Sequence, residues 1–251
     1  MTKLVPEILE LLKAGVHFGH KTSRWHPKMA PFIFGARSGV HIIDLEKTQE
    51  QLTTALNFVR GLGKEGKTIL FVGTKKQASA FIKAEAIAAG LPYVENRWLG
   101  GSITNWQEIY KLIKKYLDLR GKQERGQLGK YTKKEQLEFQ KDIERMRQLV
   151  EGMATLTRLP DALFLVDLKY EDTALREANQ KGIPIVALCD TNVNPDKVQY
   201  PIPGNDDALK AIDLIIKLVA QAYKEGVEER KAAQVQVEAQ EAKEVPQPVA
   251  A

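Results

Sequence analysis

Between Gly15 and Lys28 the chain reads GVHFGHKTSRWHPK, which packs three imidazoles, three cations and two flat aromatic rings into fourteen residues. Cations neutralise phosphates, and aromatic faces stack on unpaired bases. Lys21, Arg24, Trp25, His26 and Lys28 are therefore candidate RNA contacts. Gly19 and Pro27 argue against a continuous helix, which predicts an extended basic loop that can follow a phosphate backbone. The plainer reading makes Phe18 and Trp25 core or interface anchors and leaves the cations as a solvated surface. A second patch of the same kind, Arg97-Trp98-Leu99-Gly100-Gly101, stands at a predicted strand end and adds Arg97 and Trp98 to the candidates.

Two further places have the types for small-molecule chemistry. Gly73-Thr74-Lys75-Lys76 joins a predicted strand to a helix N-terminus, where backbone amides can hold phosphate. The loop lacks the G-x-x-x-x-G-K-[ST] spacing, and no G-x-G-x-x-G occurs in the chain. An ordinary turn, an RNA phosphate contact through Lys75 and Lys76, and a nucleotide cradle all remain open. Asp190 follows a strand, the position at which open α/β sheets place ligands. An α/β nucleotide-binding enzyme or regulator using the 73–76 loop and Asp190 is the rival reading. No nucleophile–base pair stands at diagnostic spacing, so catalysis is not expected. Turn-capping is the plain role for Asp190. Cys189, the single cysteine, sits in the apolar run PIVALCD and reads as a buried structural thiol in a chain without disulfides.

Charge narrows the partner. The net charge of +5 understates the body, because the stretch from Glu225 onward is acidic and the rest carries 34 basic against 26 acidic residues. The first 38 residues hold six Lys/Arg against two Glu, and residues 105–158 hold thirteen against eight acids. All four histidines fall within the first 41 residues. Such segregation points to a polyanion. No apolar run approaches the ~20 residues of a membrane-spanning helix. The opening MTKLVPEILELLKAG reads as an amphipathic helix rather than a signal peptide.

The elements that must position these residues alternate. Strands are predicted at 32–35, 40–45, 68–73, 92–98, 161–167 and 184–190, and helices at 46–63, 75–89, 173–181 and 206–224, the last capped by Asn205. Runs as solidly apolar as TILFV and ALFLV suit strands buried on both faces, hence a mostly parallel, flavodoxin-like or Rossmann-like sheet flanked by helices. Residues 105–152 break the alternation. Trp106, Ile109, Ile113 and Tyr116, then Phe139, Ile143, Met146, Val150 and Met153, step by three and four, with the polar stretch GKQERGQLGKYT between them. That pattern predicts an inserted antiparallel coiled-coil hairpin. The expected organisation is an α/β body of 1–105 with 156–226, a hairpin of 106–155, and a tail of 227–251 that frays into disorder.

Five ordered motifs carry a family resemblance: AGVHFGHKTSRWHPKMAPFIFGARSGVHIIDLEKT, LFVGTKKQA, RWLGGSITNW, LPDALFLVD and CDTNVNPDKVQYPIPGNDDA. They resemble the bacterial-type second protein of the small ribosomal subunit, the S-two family, over residues 8–224. The chain departs from the family pattern at Ser102, where Met is usual, and at VEGM (150–153), where LGGI is usual. The resemblance implies a flavodoxin-like domain with an inserted hairpin and no enzymatic activity. It implies contacts with small-subunit ribosomal RNA and neighbouring small-subunit proteins, and docking of the messenger-binding S-one family protein in many bacteria. It also implies a cytoplasmic, ribosome-bound location, with an organellar ribosome left open. No cofactor is required. One imidazole and two carboxylates from motifs that the resemblance places on a functional face, His20, Asp190 and Asp207, make a candidate zinc shell with an open position. Capping aspartates and an RNA-facing histidine are the alternative for the same three residues.

Overall fold

A computed structural model describes residues 4–244, with side-chain burial assigned through residue 235. Five strands form a wholly parallel sheet: β4 (Ile69–Val72), β5 (Tyr93–Val94), β6 (Ala162–Val166), β7 (Ile185–Cys189) and β8 (Tyr200–Pro203). Their order is β5-β4-β6-β7-β8. This is the flavodoxin arrangement, with its reversal of strand order between β4 and β6. Every residue of β4, β6 and β7 is buried. Helices therefore cover both faces, as the continuous apolar runs require.

One face is covered by α2 (Leu45–Glu65), α3 (Lys76–Ala89) and α7 (Leu209–Glu244). Asp44 starts α2 by accepting from the Glu46 amide at 3.0 Å. The other face is covered by α6 (Asp172–Lys181) and by the bases of α4 (Trp106–Glu124) and α5 (Lys133–Val150). The last two are the predicted arms. Ile109, Ile113, Tyr116 and Leu119 of α4 are buried, as are Ile143, Met146 and Val150 of α5. Thr132 and Glu135 form a reciprocal capping box that restarts the chain at α5. The arms do not stand apart from the body. Their buried seam runs without a break into Leu70, Val72, Leu163 and Leu165 of the sheet. Ser102 is buried, its hydroxyl donating to the Leu99 carbonyl at 2.6 Å, so a polar group at this position has its partner within the loop.

Three features differ from the sequence-based expectation. The basic segment is not wholly loop: β1 (Phe18–Lys21) pairs with β3 (Val40–Ile43), which pairs with β2 (Ile33–Arg37), all antiparallel. The proline-rich run YPIP forms the edge strand β8, where a missing N–H costs least. The last helix does not end at residue 224. A Cβ on Gly226 would lie 2.1 Å from the Arg60 carbonyl oxygen, so this glycine marks a close crossing of α7 over α2. Beyond it Glu229 pairs with both Arg60 and Lys64, the latter at 2.6 Å. Of the tail expected to fray into disorder, 227–251, residues 227–244 belong to α7, and 245–251 lie outside the described residues. A short helix, α1 (Ile8–Ala14), precedes the basic segment, as its amphipathic pattern predicts.

Candidate nucleic-acid interface

The basic segment is fixed to the carboxyl end of the parallel sheet through Thr191. The chain passes so close there that a Cβ on Gly19 would lie 2.6 Å from the threonine methyl. The His20 amide donates to Thr191 Oγ1 at 3.0 Å, and the His26 amide to the Thr191 carbonyl at 2.8 Å. Lys21 and Arg24 are exposed between these two ties. Trp25 is 43% exposed and rests at a tilt on His41, with ring centroids 5.4 Å apart. One face of the indole is thus supported while the side chain stays accessible. His26 Nδ1 accepts from the Lys28 amide at 3.2 Å and starts the 3-10 turn at Pro27. Lys28 pairs with Asp196 at 3.0 Å across two well-exposed side chains. Such a pair contributes little to stability, so the ammonium can exchange for a phosphate.

Around this segment lies a buried charge cluster. His20 Nδ1 is 2.9 Å from Asp190 Oδ2, and the Asn192 amide lies 3.1 Å from Nε2. Lys75 Nζ reaches Asp167 at 2.9 Å, Asp206 at 2.8 Å and Asp207 at 2.7 Å. Burial lowers the Lys75 pKa, and the three aspartate partners outweigh it and raise the pKa overall. Hydrogen bonding to Asp190 raises the His20 pKa against the opposing effect of its burial. Asp206 is buried beside Asp167 and Asp190, and desolvation with those like charges pushes its carboxyl up to about 7 despite Lys75.

The zinc shell read from the sequence is regrouped. Ligand-type atoms of His20, Asp190 and Asp206 all lie within 4.8 Å of one another. Asp207 is the neighbour that turns outward: it is 59% exposed, 3.7 Å from His20 Nε2, and holds Lys75 with its other oxygen. Adjacent residues at a helix entrance point in different directions, and the dipeptide alone cannot say which one faces inward. Among the described residues, Asp206 Oδ2 is one of few buried polar atoms without a hydrogen-bond partner.

The remaining predicted residues divide between surface and interior. Lys76 and Arg97 are exposed. Lys75 is committed to carboxylates, as above. Trp98 is only 8% exposed, and its indole N–H donates to Glu177 Oε1 at 3.1 Å. Glu177 is the residue that sequence reasoning missed. Its buried carboxylate also accepts from the Gly101 amide at 2.7 Å and from the Ile103 amide, the Thr104 amide and the Thr104 hydroxyl at 3.0 Å each. Burial alone would raise its pKa, but these donors outweigh it and hold the carboxyl below its ordinary range. The sole signal in the sequence was an acid at a position that helical spacing assigns to the apolar face of α6.

The loop after β4 is filled from inside. Glu171, 2% exposed, accepts from the Thr74 amide at 2.7 Å and the Thr74 hydroxyl at 2.6 Å. A protein carboxylate thus occupies the anion position at the strand-order reversal, and aspartates neutralise Lys75 beside it. The Thr74 amide and hydroxyl and the Lys75 ammonium are thus already taken by protein carboxylates, which does not favour the rival enzyme reading. Cys189 is fully buried, and desolvation pushes its thiol well above the ordinary range, so it is a packing residue.

Comparison with known proteins agrees with this geometry. The chain is 51% identical over 227 residues to the small ribosomal subunit protein uS2 of Coprothermobacter proteolyticus, covering 90% of this chain and 85% of that one. It is 45% identical to uS2 of Chloroflexus aggregans, covering 93% of this chain and 100% of the relative. It is 47% identical to uS2c of Rhodomonas salina, covering 88% and 91%. Residues 11–226 match the family described as ribosomal protein S2. With the match spanning both faces of the sheet and the helical insertion, the chain belongs to the ribosomal protein S2 family.

Proposed function

We propose that this protein is a structural, non-catalytic constituent of the small ribosomal subunit that grips ribosomal RNA through its basic amino-terminal segment. It acts in translation as part of the cytoplasmic ribosome and needs no cofactor for that role. The observation that carries the RNA interface is the segment from His20 to Lys28, tied to Thr191 at His20 and His26, with its cations and Trp25 exposed. In this reading Lys21, Arg24, Trp25, His26, Lys28, Lys76 and Arg97 touch RNA. Lys75 and Trp98 act from beneath the surface, by balancing aspartates and by anchoring the loop that carries Arg97. Neighbouring small-subunit proteins, the S-one family protein among them, complete the contacts.

The test is RNA binding at several salt concentrations. Neutralising phosphates releases counterions, so replacing Lys21, Arg24 and Lys28 together by Ala should flatten the log–log salt slope by roughly two to three units. Trp25→Ala should cost about 1–3 kcal/mol of affinity with little change in slope. An unchanged slope in a folded triple variant means that the segment does not hold phosphates.

A second reading concerns one zinc ion held by His20, Asp190 and Asp206. Its support is the unpartnered buried Oδ2 of Asp206 and the excess of carboxylates over cations around Lys75. Imidazole and carboxylate oxygens form an acceptable zinc donor set. The ion would supply structural charge balance, tying β1 to the end of β7. Equilibrium dialysis with metal analysis should then find about one zinc per chain, less in Asp206→Asn and Asp190→Ala, and little change in Asp207→Asn. Near-zero metal in all of them removes the site.

A further inference from the structure

The loops that follow β6 and β7 enclose a cavity of about 230 Å³ beside the basic segment. It opens at the carboxyl ends of two adjacent parallel strands, one strand away from the order reversal between β4 and β6. Leu168, Leu175 and Val193, all buried, give it an apolar floor, and His26 of the basic segment supplies a wall. Lys169 and Lys197 stand exposed at the rim. Neither ammonium has an ion-pair partner among the described residues. Of the acids nearby, Asp172 pairs with Arg176 at 2.8 Å, and Asp196 pairs with Lys28 at 3.0 Å, a contact that a phosphate on Lys28 would open. Asn194 uses its carbonyl oxygen to accept from the Asp196 amide, which leaves its amino group for a ligand.

We propose that this cavity receives the base of a single unpaired nucleotide of the bound RNA, with the flanking phosphates on Lys169 and Lys197. The inference rests on the RNA-binding reading above and adds a subsite to it. The cavity is smaller than the ~300–1,000 Å³ of pockets that hold drug-sized ligands, so it suits one flat base rather than a dinucleotide cofactor. An apolar slot with an amide at its edge matches the way unpaired bases are held, stacked on a face and hydrogen-bonded along an edge. The basic rim matches the backbone that must enter and leave. Tyr170, next to Lys169 and 62% exposed, offers a second ring for a neighbouring base. The shared wall at His26 makes the cavity continuous with the segment that grips phosphates.

The test uses the full-length chain and three fluorescent RNA hairpins: one with a single bulged adenosine, one with a perfect stem, and one with an abasic bulge. Fluorescence anisotropy should show wild type binding the bulged RNA roughly fivefold to a hundredfold more tightly than the other two. Leu175→Phe, which fills the floor, should abolish that preference while keeping affinity for the perfect stem. Thermal melting confirms that the variant is folded. If it is not, the exposed pair Lys169→Glu with Lys197→Glu decides the matter, since it should weaken bulged RNA several-fold more than the perfect stem. Equal affinity of wild type for all three hairpins overturns the pocket and leaves general RNA binding standing. No affinity for any of them overturns both. Adenosine monophosphate should compete only at millimolar concentration, and displacement at micromolar concentration would assign the cavity to a free nucleotide instead.

Discussion

Replacing Glu177 by Ala removes the acceptor around which the loop from Trp98 to Thr104 is built. Five donors converge on that carboxylate, two of them from the buried residues Trp98 and Ile103. Leaving a buried donor without a partner costs about 1–3 kcal/mol, and the more exposed donors recover water. Two stranded donors therefore destabilise the protein by roughly 2–6 kcal/mol, a large share of the ~5–15 kcal/mol that holds a typical domain together. For a domain of this size that corresponds to a fall in Tm of about 4–24 °C. Thermal unfolding followed by tryptophan fluorescence reads it directly, because Trp98 loses its hydrogen bond. The pH dependence gives a second check. The folded pKa of Glu177 is depressed, so its contribution is present above the unfolded carboxylate value of about 4.3 and is lost as pH falls through the folded value. The gap between wild type and variant should stay constant from pH 7 to 5 and narrow only below about pH 4. A variant that melts within 1–2 °C of wild type (about the effect of 0.5 kcal/mol) would refute the reasoning. So would a gap that closes between pH 7 and 5.5.

Gly226→Ala pushes a methyl group into the Arg60 carbonyl, where helix backbones cannot part without loosening α2, and should cost about 1–3 kcal/mol in chemical denaturation. Lys75→Met leaves Asp167 and Asp206 facing each other without a cation. We expect a loss of roughly 3–5 kcal/mol well above pH 7 that becomes smaller as pH falls toward about 7 and Asp206 protonates, measured by urea unfolding from about pH 9 to 6. The hairpin's outer half, residues 118–139, should be replaceable by a short Gly/Ser linker with the body still folding cooperatively, while incorporation into small subunits weakens. Cutting back to residues 106–152 should instead destabilise the body, since Val150 is part of the core and a Cβ on Gly152 would lie 2.2 Å from the Tyr93 carbonyl. Circular dichroism melts of the two deletions separate these outcomes.

The sequence by itself determined the layers. Runs such as ILFV, ALFLV and IVALC suit strands covered on both faces, and they form such strands. The three-and-four spacing of Ile109, Ile113 and Tyr116 against Ile143, Met146 and Val150 required two helices that bury a shared seam. These are local signals, written in the period of a single element. The cationic character of the Lys21–Lys28 segment is likewise a matter of composition and needs no fold. Only the tertiary structure decided which polar residue serves what. Asp206 and Asp207 are adjacent in the chain, yet one is buried beside Asp190 and the other is 59% exposed. Lys75 and Lys76 are adjacent too, yet one is enclosed by carboxylates and the other is exposed. Trp98 resembles Trp25 in type, and its fate was set by Glu177, 79 residues away. Charge pairing and desolvation depend on groups that meet across the fold. The periodicity of one segment carries no record of them.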